Sequence, residues 1–132
     1  MLTLNPDHKA PEPLKEAEDR VAIKKPLIGL ASIERKEVVH TLNRVLANEM
    51  ILTTKIRKVH WDVSGPQFYA LHKLLDEHYG ILDGRTDELA ERVRQLGAFP
   101  VATLAGFLEH AVLGETPGVL LNPTEAVEAL LM

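Results

Sequence analysis

Apolar residues recur every three or four positions in two long stretches of the chain, which is the spacing of one face of an α-helix. The first stretch predicts a helix from Ser32 to about Trp61, and the second predicts a helix over about residues 66–96. The apolar positions are Val38, Leu42, Val45, Leu46, Ile56 and Val59 in the first and Phe68, Leu71, Leu75, Tyr79, Leu82, Leu89, Val93 and Leu96 in the second. Gly65 and Pro66 separate the two stretches, because Gly permits a turn and Pro favours the start of a helix. The pattern therefore predicts an antiparallel hairpin about 45 Å long at a rise of 1.5 Å per residue.

Two weaker helical signals follow the hairpin, and no segment has the alternating pattern of a strand. Residues 103–113 predict a short helix, and Asn122 followed by Pro123 predicts a helix start with Asn as the cap. Only nine residues follow Pro123, so we expect this helix to be incomplete. The prediction is an all-α fold of the four-helix-bundle type, over residues 32–132, whose last helix is missing from the chain.

The first 31 residues differ from the rest in composition. Four of the eight prolines lie in the first 26 residues, among charged side chains, which predicts a flexible N-terminal arm over residues 1–31. Residues 1–36 carry seven Lys and Arg against six Asp and Glu, whereas residues 37–132 carry eight against thirteen. Duplex DNA carries one charge per ~1.7 Å, so an almost neutral arm predicts weak DNA binding at most.

Composition excludes several classes of protein. The 132 residues fit one domain, and the 45% apolar content is that of a folded protein. No apolar run is long enough to cross a membrane and no secretory leader is recognisable, so we expect a cytoplasmic protein without a membrane partner. Cysteine is absent, which excludes disulfides, thiolate metal ligands and cysteine nucleophiles.

Polar side chains with metal-binding chemistry lie along one side of the second predicted helix. At about 100° per residue, His72, Asp76, Asp87 and Glu91 share a stripe roughly 100° wide. His60, at the end of the first helix, can fold back towards His72 across the short turn. Imidazoles and carboxylates without thiolates suit iron, manganese or zinc.

A distance argument limits what one chain can bind. Asp76 and Asp87 are about 16 Å apart along the helix axis, whereas a metal–ligand bond is about 2 Å long. The two ends of the stripe meet only if two copies of the helix pair antiparallel about a two-fold axis. The spacing therefore predicts two equivalent metal sites in a homodimer.

These residues carry a resemblance to a known family. The segment Lys58-Val-His-Trp-Asp-Val-Ser-Gly-Pro-Gln-Phe-Tyr-Ala-Leu-His-Lys-Leu-Leu-Asp76, followed by Asp87-Glu-Leu-Ala-Glu-Arg92, closely resembles the Dps family, the mini-ferritins or DNA-binding proteins from starved cells. The resemblance covers about residues 36–113. It implies a ferritin-like four-helix bundle, two-fold dimers and a 12-subunit cage.

The resemblance also implies a function. In the family, Fe(II) is oxidised at a ferroxidase centre between subunits, preferentially by hydrogen peroxide, and Fe(III) is stored in the cage. By resemblance, Asp87 and Glu91 hold the tighter iron with His60 of the partner subunit, and His72 and Asp76 orient the second iron or its water. Trp61 would be an electron donor or radical trap. The implied site residues are His60, Trp61, His72, Asp76, Asp87 and Glu91.

Simpler interpretations of the same residues stay open. Taken alone, His60 would be a charge partner at a helix end, Asp87 and Glu91 with Arg92 would form a solvated ion-pair face, and Trp61 would be a core residue. At the level of function, the alternatives are a nucleoid-associated DNA-binding protein with little ferroxidase activity, an inactive helical remnant, and a two-metal site for zinc or manganese.

Overall fold

Four α-helices account for the regular structure in a computed structural model that describes residues 26–119 and 122–131. In this part of the chain there is no strand. The helices are α1 (Ser32–Asp62), α2 (Phe68–Gln95), α3 (Leu104–His110) and α4 (Pro123–Leu131). The prediction of an all-α fold is confirmed over the described residues.

The two long helices form the predicted antiparallel hairpin. His60 contacts His72 near the turn, Arg57 pairs with Asp83 further along, and Arg35 donates a hydrogen bond to the Leu96 carbonyl at the far end. Residues earlier in α1 thus contact residues later in α2, which shows that the two helices are antiparallel. The apolar faces meet between the helices, because burial of their side chains is the main favourable term for packing.

Glycine and backbone hydrogen bonds define both ends of α2. In the connection before it, Gly65 has a φ of 99° and its carbonyl accepts from the Phe68 N–H at 3.0 Å. After the helix, Gly97 has a φ of 72°, and the N–H groups of Gly97 and Ala98 donate to the carbonyls of Arg94 and Val93. This is the Schellman arrangement, in which a left-handed residue turns the chain back over the last helical carbonyls.

Asparagine side chains of α1 hold the segment that follows α2. Asn43 Oδ1 accepts from the Val101 N–H at 3.0 Å, and Asn48 Oδ1 accepts from the N–H groups of Val112 and Leu113 at 2.8 and 3.1 Å. Thr103 caps α3, because its hydroxyl accepts from the Gly106 N–H at 3.0 Å. The segment therefore lies along α1 although it buries few large side chains.

Helix α4 begins as the sequence predicts and adds a third element to the hairpin. Asn122 Oδ1 accepts from the Thr124 N–H at 2.8 Å, which is the N-cap bond expected when Pro occupies the first helical position. Ala126 is fully buried in the main core cluster of α1, α2 and α4. The cluster consists of Ile56, Val59, Leu75, Leu82 and Ala126.

Most of the predicted arm over residues 1–31 lies outside the described residues. Residues 26–31 form neither helix nor strand and are largely exposed. None of the helices in the described ranges combines the length and apolar character needed to cross a bilayer.

Candidate metal centre

The connection between α1 and α2 places His60 directly opposite His72. His60 lies in the last turn of α1 and is 7% exposed, and Val63, which begins the connection, is 2% exposed. Because Val63 is anchored in the core, the chain reverses within five residues and α2 returns alongside the end of α1. The prediction that His60 folds back towards His72 is confirmed by their contact.

The two imidazoles are stacked and each binds the backbone of the other residue. Their ring centroids are 3.5 Å apart with an interplanar angle of 19°. Nδ1 of His60 lies 2.8 Å from the His72 carbonyl oxygen, and Nδ1 of His72 lies 2.9 Å from the His60 carbonyl oxygen. A carbonyl oxygen only accepts, so both Nδ1 atoms carry the proton and donate. In the neutral rings, both Nε2 atoms keep a lone pair, which is the form in which histidine binds a metal.

Asp76 lies one turn beyond His72 on α2 and is exposed. Its Oδ1 accepts a hydrogen bond from the hydroxyl of Tyr79. This hydrogen bond, followed by desolvation and the charge of Asp76, raises the pKa of the Tyr79 phenol. The phenol therefore stays protonated and remains a donor to the carboxylate.

Asp87 and Glu91 lie in the second half of α2, and both are exposed. They are one turn apart, and Asp87 is about 16 Å along the axis from Asp76 at 1.5 Å per residue. Over residues 26–119 and 122–131, no three His, Asp or Glu side chains come together in a way that could hold a metal ion. One chain thus presents two separate donor groups on α2: His72 and Asp76 beside His60, and Asp87 with Glu91.

Trp61 follows His60 but does not contribute to the core. Its side chain is 72% exposed, so core packing within the chain does not explain this residue. Phe68 instead contacts the histidine pair, with its ring centroid 4.8 Å from that of His72.

Sequence reasoning missed three residues around the pair. The sequence pattern places Tyr79 only on the apolar face of α2 and indicates no function for Arg57 or Asp83. In the structure Arg57 binds Asp83 at 2.6 Å and lies over the Tyr79 ring at 4.8 Å. The spacing contained a signal, because Tyr79 is three residues from Asp76 and four from Asp83, the distances at which helical side chains meet.

Comparison with known proteins shows the family. Residues 39–132 match the ferritin-like domain family. The chain is 44% identical over 104 residues to an uncharacterised low-temperature-induced protein of Nostoc sp., covering 79% of this chain and 58% of that protein. It is 46% identical over 77 residues to the DNA protection during starvation protein of Brevibacillus brevis, covering 58% of this chain and 52% of that protein. The chain thus spans between about half and three fifths of the length of these curated relatives.

A solved structure agrees with this result. The crystal structure of the Dps protein from Vibrio cholerae O1, described as a member of a superfamily of ferritin-like diiron-carboxylate proteins, superposes with a TM-score of 0.76. The identity is 31%, and the match covers 84% of this chain and 69% of that one. The family match over residues 39–132 includes all the candidate ligands, and the predicted ferritin-like fold is confirmed. The chain belongs to the ferritin-like domain family and, within it, to the Dps mini-ferritins.

Proposed function

We propose that this chain is the subunit of a mini-ferritin that oxidises Fe(II), preferentially with hydrogen peroxide, and stores the Fe(III) in a cage. The observation that carries the proposal is the histidine pair, in which each Nδ1 is 2.8–2.9 Å from a backbone carbonyl. A backbone carbonyl as partner of Nδ1 is the arrangement that orients metal-binding histidines and fixes their tautomer. Asp76 next to the pair adds the carboxylate donor that iron favours.

The ferroxidase centre in this proposal lies between two subunits. Asp87 and Glu91 bind the tighter iron together with His60 of the partner subunit, while His72 and Asp76 orient the second iron or its water. Trp61, being 72% exposed in the single chain, is available as an electron donor or radical trap. Antiparallel pairing of α2 with its copy completes two equivalent centres, and such dimers assemble into a 12-subunit cage.

A centre that holds two irons would limit the formation of hydroxyl radical from hydrogen peroxide. Two Fe(II) ions each give one electron to hydrogen peroxide, whose O–O bond breaks, and two protons complete the formation of two waters. Because both electrons arrive at one centre, peroxide is not left at the one-electron stage that releases hydroxyl radical. The protein would thereby protect DNA from oxidative damage in the cytoplasm, with or without direct association with the nucleoid.

The test is iron oxidation by purified variants that keep their assembly. Asp87→Ala and Glu91→Ala should each slow the peroxide-dependent appearance of ferric absorbance by at least about tenfold, because each removes a ligand. Glu88→Ala is the matched control, since Glu88 is an exposed carboxylate on the same helix but outside the ligand stripe. Light scattering should give the same particle mass for all four proteins.

Other outcomes identify the alternatives. Equal rates for the wild type and both ligand variants would contradict the proposed centre. A wild type that retains DNA in a salt-dependent manner but oxidises no iron would indicate a nucleoid-associated protein. Tight zinc or manganese binding without iron oxidation would indicate a different two-metal site, and a wild type that binds no metal would indicate an inactive remnant.

A further inference from the structure

Tyr79 lies at the centre of a group of side chains that joins α1 to α2 beside the histidine pair. Its hydroxyl donates to Oδ1 of Asp76, and its ring meets the His60 ring edge-on, with centroids 5.4 Å apart and an interplanar angle of 86°. The guanidinium of Arg57 covers the ring at 4.8 Å from its centroid. One phenol thus contacts two candidate iron ligands and one cation.

Arg57 is itself held in place. Its Nη2 donates to Oδ2 of Asp83 at 2.6 Å, and the two side chains are 38% and 51% exposed. An exposed ion pair of this kind contributes little to stability by itself. Its geometric effect is that the guanidinium stays over the Tyr79 ring, while His60 contacts the same ring edge-on. Asp83 lies on the same side of α2 as the candidate ligands, and its role here is to hold Arg57.

The hydrogen bond has a direct consequence for Asp76. An exposed aspartate on a helix samples several rotamers, and ordering it costs free energy when a metal binds. The Tyr79 hydroxyl occupies Oδ1 and leaves Oδ2 with its lone pairs for a cation. Hydrogen bonds from neighbouring residues to metal-binding carboxylates are known to contribute to metal affinity in this way.

We propose that Tyr79 is a positioning residue of the iron site: it orients the Asp76 carboxylate by the phenol hydrogen bond, and Arg57 with Asp83 holds the phenol. This inference rests on the proposed function, because it assigns Asp76 as an iron ligand. Tyr79 binds no iron in this scheme and transfers no electron. It acts on iron only through Asp76 and through the edge contact with His60.

A purely structural role for Tyr79 is the competing explanation. The ring also packs against the core cluster of α1, α2 and α4, so removing it would disturb the hairpin irrespective of any metal. The discriminating variant is therefore Tyr79→Phe, which keeps the ring, its edge contact and the Arg57 contact and removes only the hydroxyl. Tyr69→Phe is the matched control, because Tyr69 is the other tyrosine of the chain, lies on the same helix and is 76% exposed.

The measurement is Co²⁺ binding to the assembled protein, by calorimetry and by the visible d–d absorption of the bound ion. Tyr79→Phe should weaken Co²⁺ binding about tenfold and change the intensity of the d–d bands, as expected for loss of a partner that orients a ligand. Tyr69→Phe should bind like the wild type. Particle mass should be the same for all three proteins, and the thermal midpoint of Tyr79→Phe should fall only slightly, because one exposed hydrogen bond contributes little to stability. A large fall in the midpoint would indicate a structural role for the hydroxyl.

A double-mutant cycle with Asp76→Asn tests whether Tyr79 acts through Asp76. In the Asp76→Asn background, the further change Tyr79→Phe should alter Co²⁺ affinity by less than about twofold, because interacting residues give non-additive effects. Asp83→Ala, which keeps the phenol but removes the acceptor that holds Arg57, should give a smaller loss than Tyr79→Phe.

The outcomes separate failure of this inference from failure of the proposed function. If Tyr79→Phe binds Co²⁺ with the same affinity and the same spectrum as the wild type, the positioning role is overturned, but the proposed iron site is not. Equal losses from Tyr79→Phe with and without Asp76→Asn also overturn it. A wild type that binds neither Co²⁺ nor Fe(II) overturns the proposed function, and the positioning role with it.

Discussion

His60 and His72 each hydrogen-bond the backbone carbonyl of the other, across the connection between the two long helices. The bonds are 2.8 and 2.9 Å long, and the stacked rings leave neither imidazole free to rotate. The same contacts thus close the hairpin and fix the tautomer of both rings. In the proposed iron site, these two side chains would already be oriented before a metal binds, so binding would cost less conformational entropy than with mobile side chains.

The separation of the two donor groups on α2 predicts complementation between defective subunits. Neither His60→Ala nor Asp87→Ala alone should oxidise iron, because every centre in either homodimer lacks one ligand. In a mixed dimer, one centre receives both substitutions and the other receives none. Random mixing should therefore restore about a quarter of the wild-type centres, since half of the dimers are mixed and each has one intact centre. Mixed dimers verified by mass spectrometry that show no activity would contradict an inter-subunit centre.

Two glycines on the exposed face of α2, Gly80 and Gly84, indicate where the two copies of this helix would come closest in the proposed dimer. Both are exposed, and a methyl group added at either would meet no atom within 4 Å in the described part of the chain, apart from the neighbouring residues and nearby backbone of α2 itself. They lie between Asp76 and Asp87, in the middle of the segment that two antiparallel copies of α2 would share in the proposed dimer. Gly80→Ala or Gly84→Ala should leave the isolated helix at least as stable, because Ala is the better helix former. Each should weaken the dimer about tenfold, however, by crowding the partner backbone.

Sedimentation of the dimer over a range of concentrations measures this effect. His78→Ala is the control, because His78 is exposed on the opposite side of α2 from the ligand stripe. A dimer of unchanged affinity in both glycine variants would show that the partner does not approach here.

The backbone conformation of Gly97, at the far end of the hairpin, predicts that a side chain at this position would destabilise the fold. Its φ is 72°, and a methyl group there would lie 2.8 Å from Cδ of Pro26. Gly97→Ala should lower the free energy of unfolding by about 1–2 kcal/mol, because both the left-handed backbone and the contact oppose a side chain. Denaturant titration with Gly114→Ala as control checks this, since a methyl group at Gly114 meets no described atom within 4 Å beyond its two neighbouring residues. Equal midpoints for the two variants would be inconsistent with strain at Gly97.

The raised pKa of the Tyr79 phenol predicts how its contribution to the free energy of unfolding depends on pH. The hydrogen bond to Asp76 is the largest cause, and it holds the phenol protonated above its ordinary pKa of 10.0. A group whose pKa is raised on folding contributes stability that is complete below its unfolded pKa and is lost as pH rises through the folded pKa. The contribution should therefore be constant up to about pH 10 and decline above it.

Ultraviolet titration of Tyr69→Phe isolates the Tyr79 phenol, because the chain has two tyrosines. Its midpoint should lie above 10.0 and move back towards that value in Asp76→Asn, which removes the charge and weakens the acceptor. A midpoint that Asp76→Asn leaves in place would show that the carboxylate is not the cause.

The four helices and the spacing of the candidate ligands along α2 are predictable from the sequence alone. Helix formation is local, so the apolar period gave α1 and α2, and Asn122 with Pro123 gave the start of α4. The 40° step between residues four apart placed His72 with Asp76 and Asp87 with Glu91 without any knowledge of packing. Even the separation of these two groups followed from the helical rise.

Contacts between side chains of different helices depend on tertiary packing and are not predictable from the spacing. The histidine bonds need the particular angle at which Val63, Gly65 and the buried core return α2 to α1, and no periodicity encodes that angle. The link from Asp83 through Arg57 and Tyr79 to Asp76 joins residues of both helices, so it exists only once the hairpin has packed. Trp61 shows the same limit: tryptophan is a residue type that suits a core, yet this side chain is 72% exposed in the single chain. Local spacing fixes which side of its own helix a residue occupies, whereas burial and contact depend on what packs against that side.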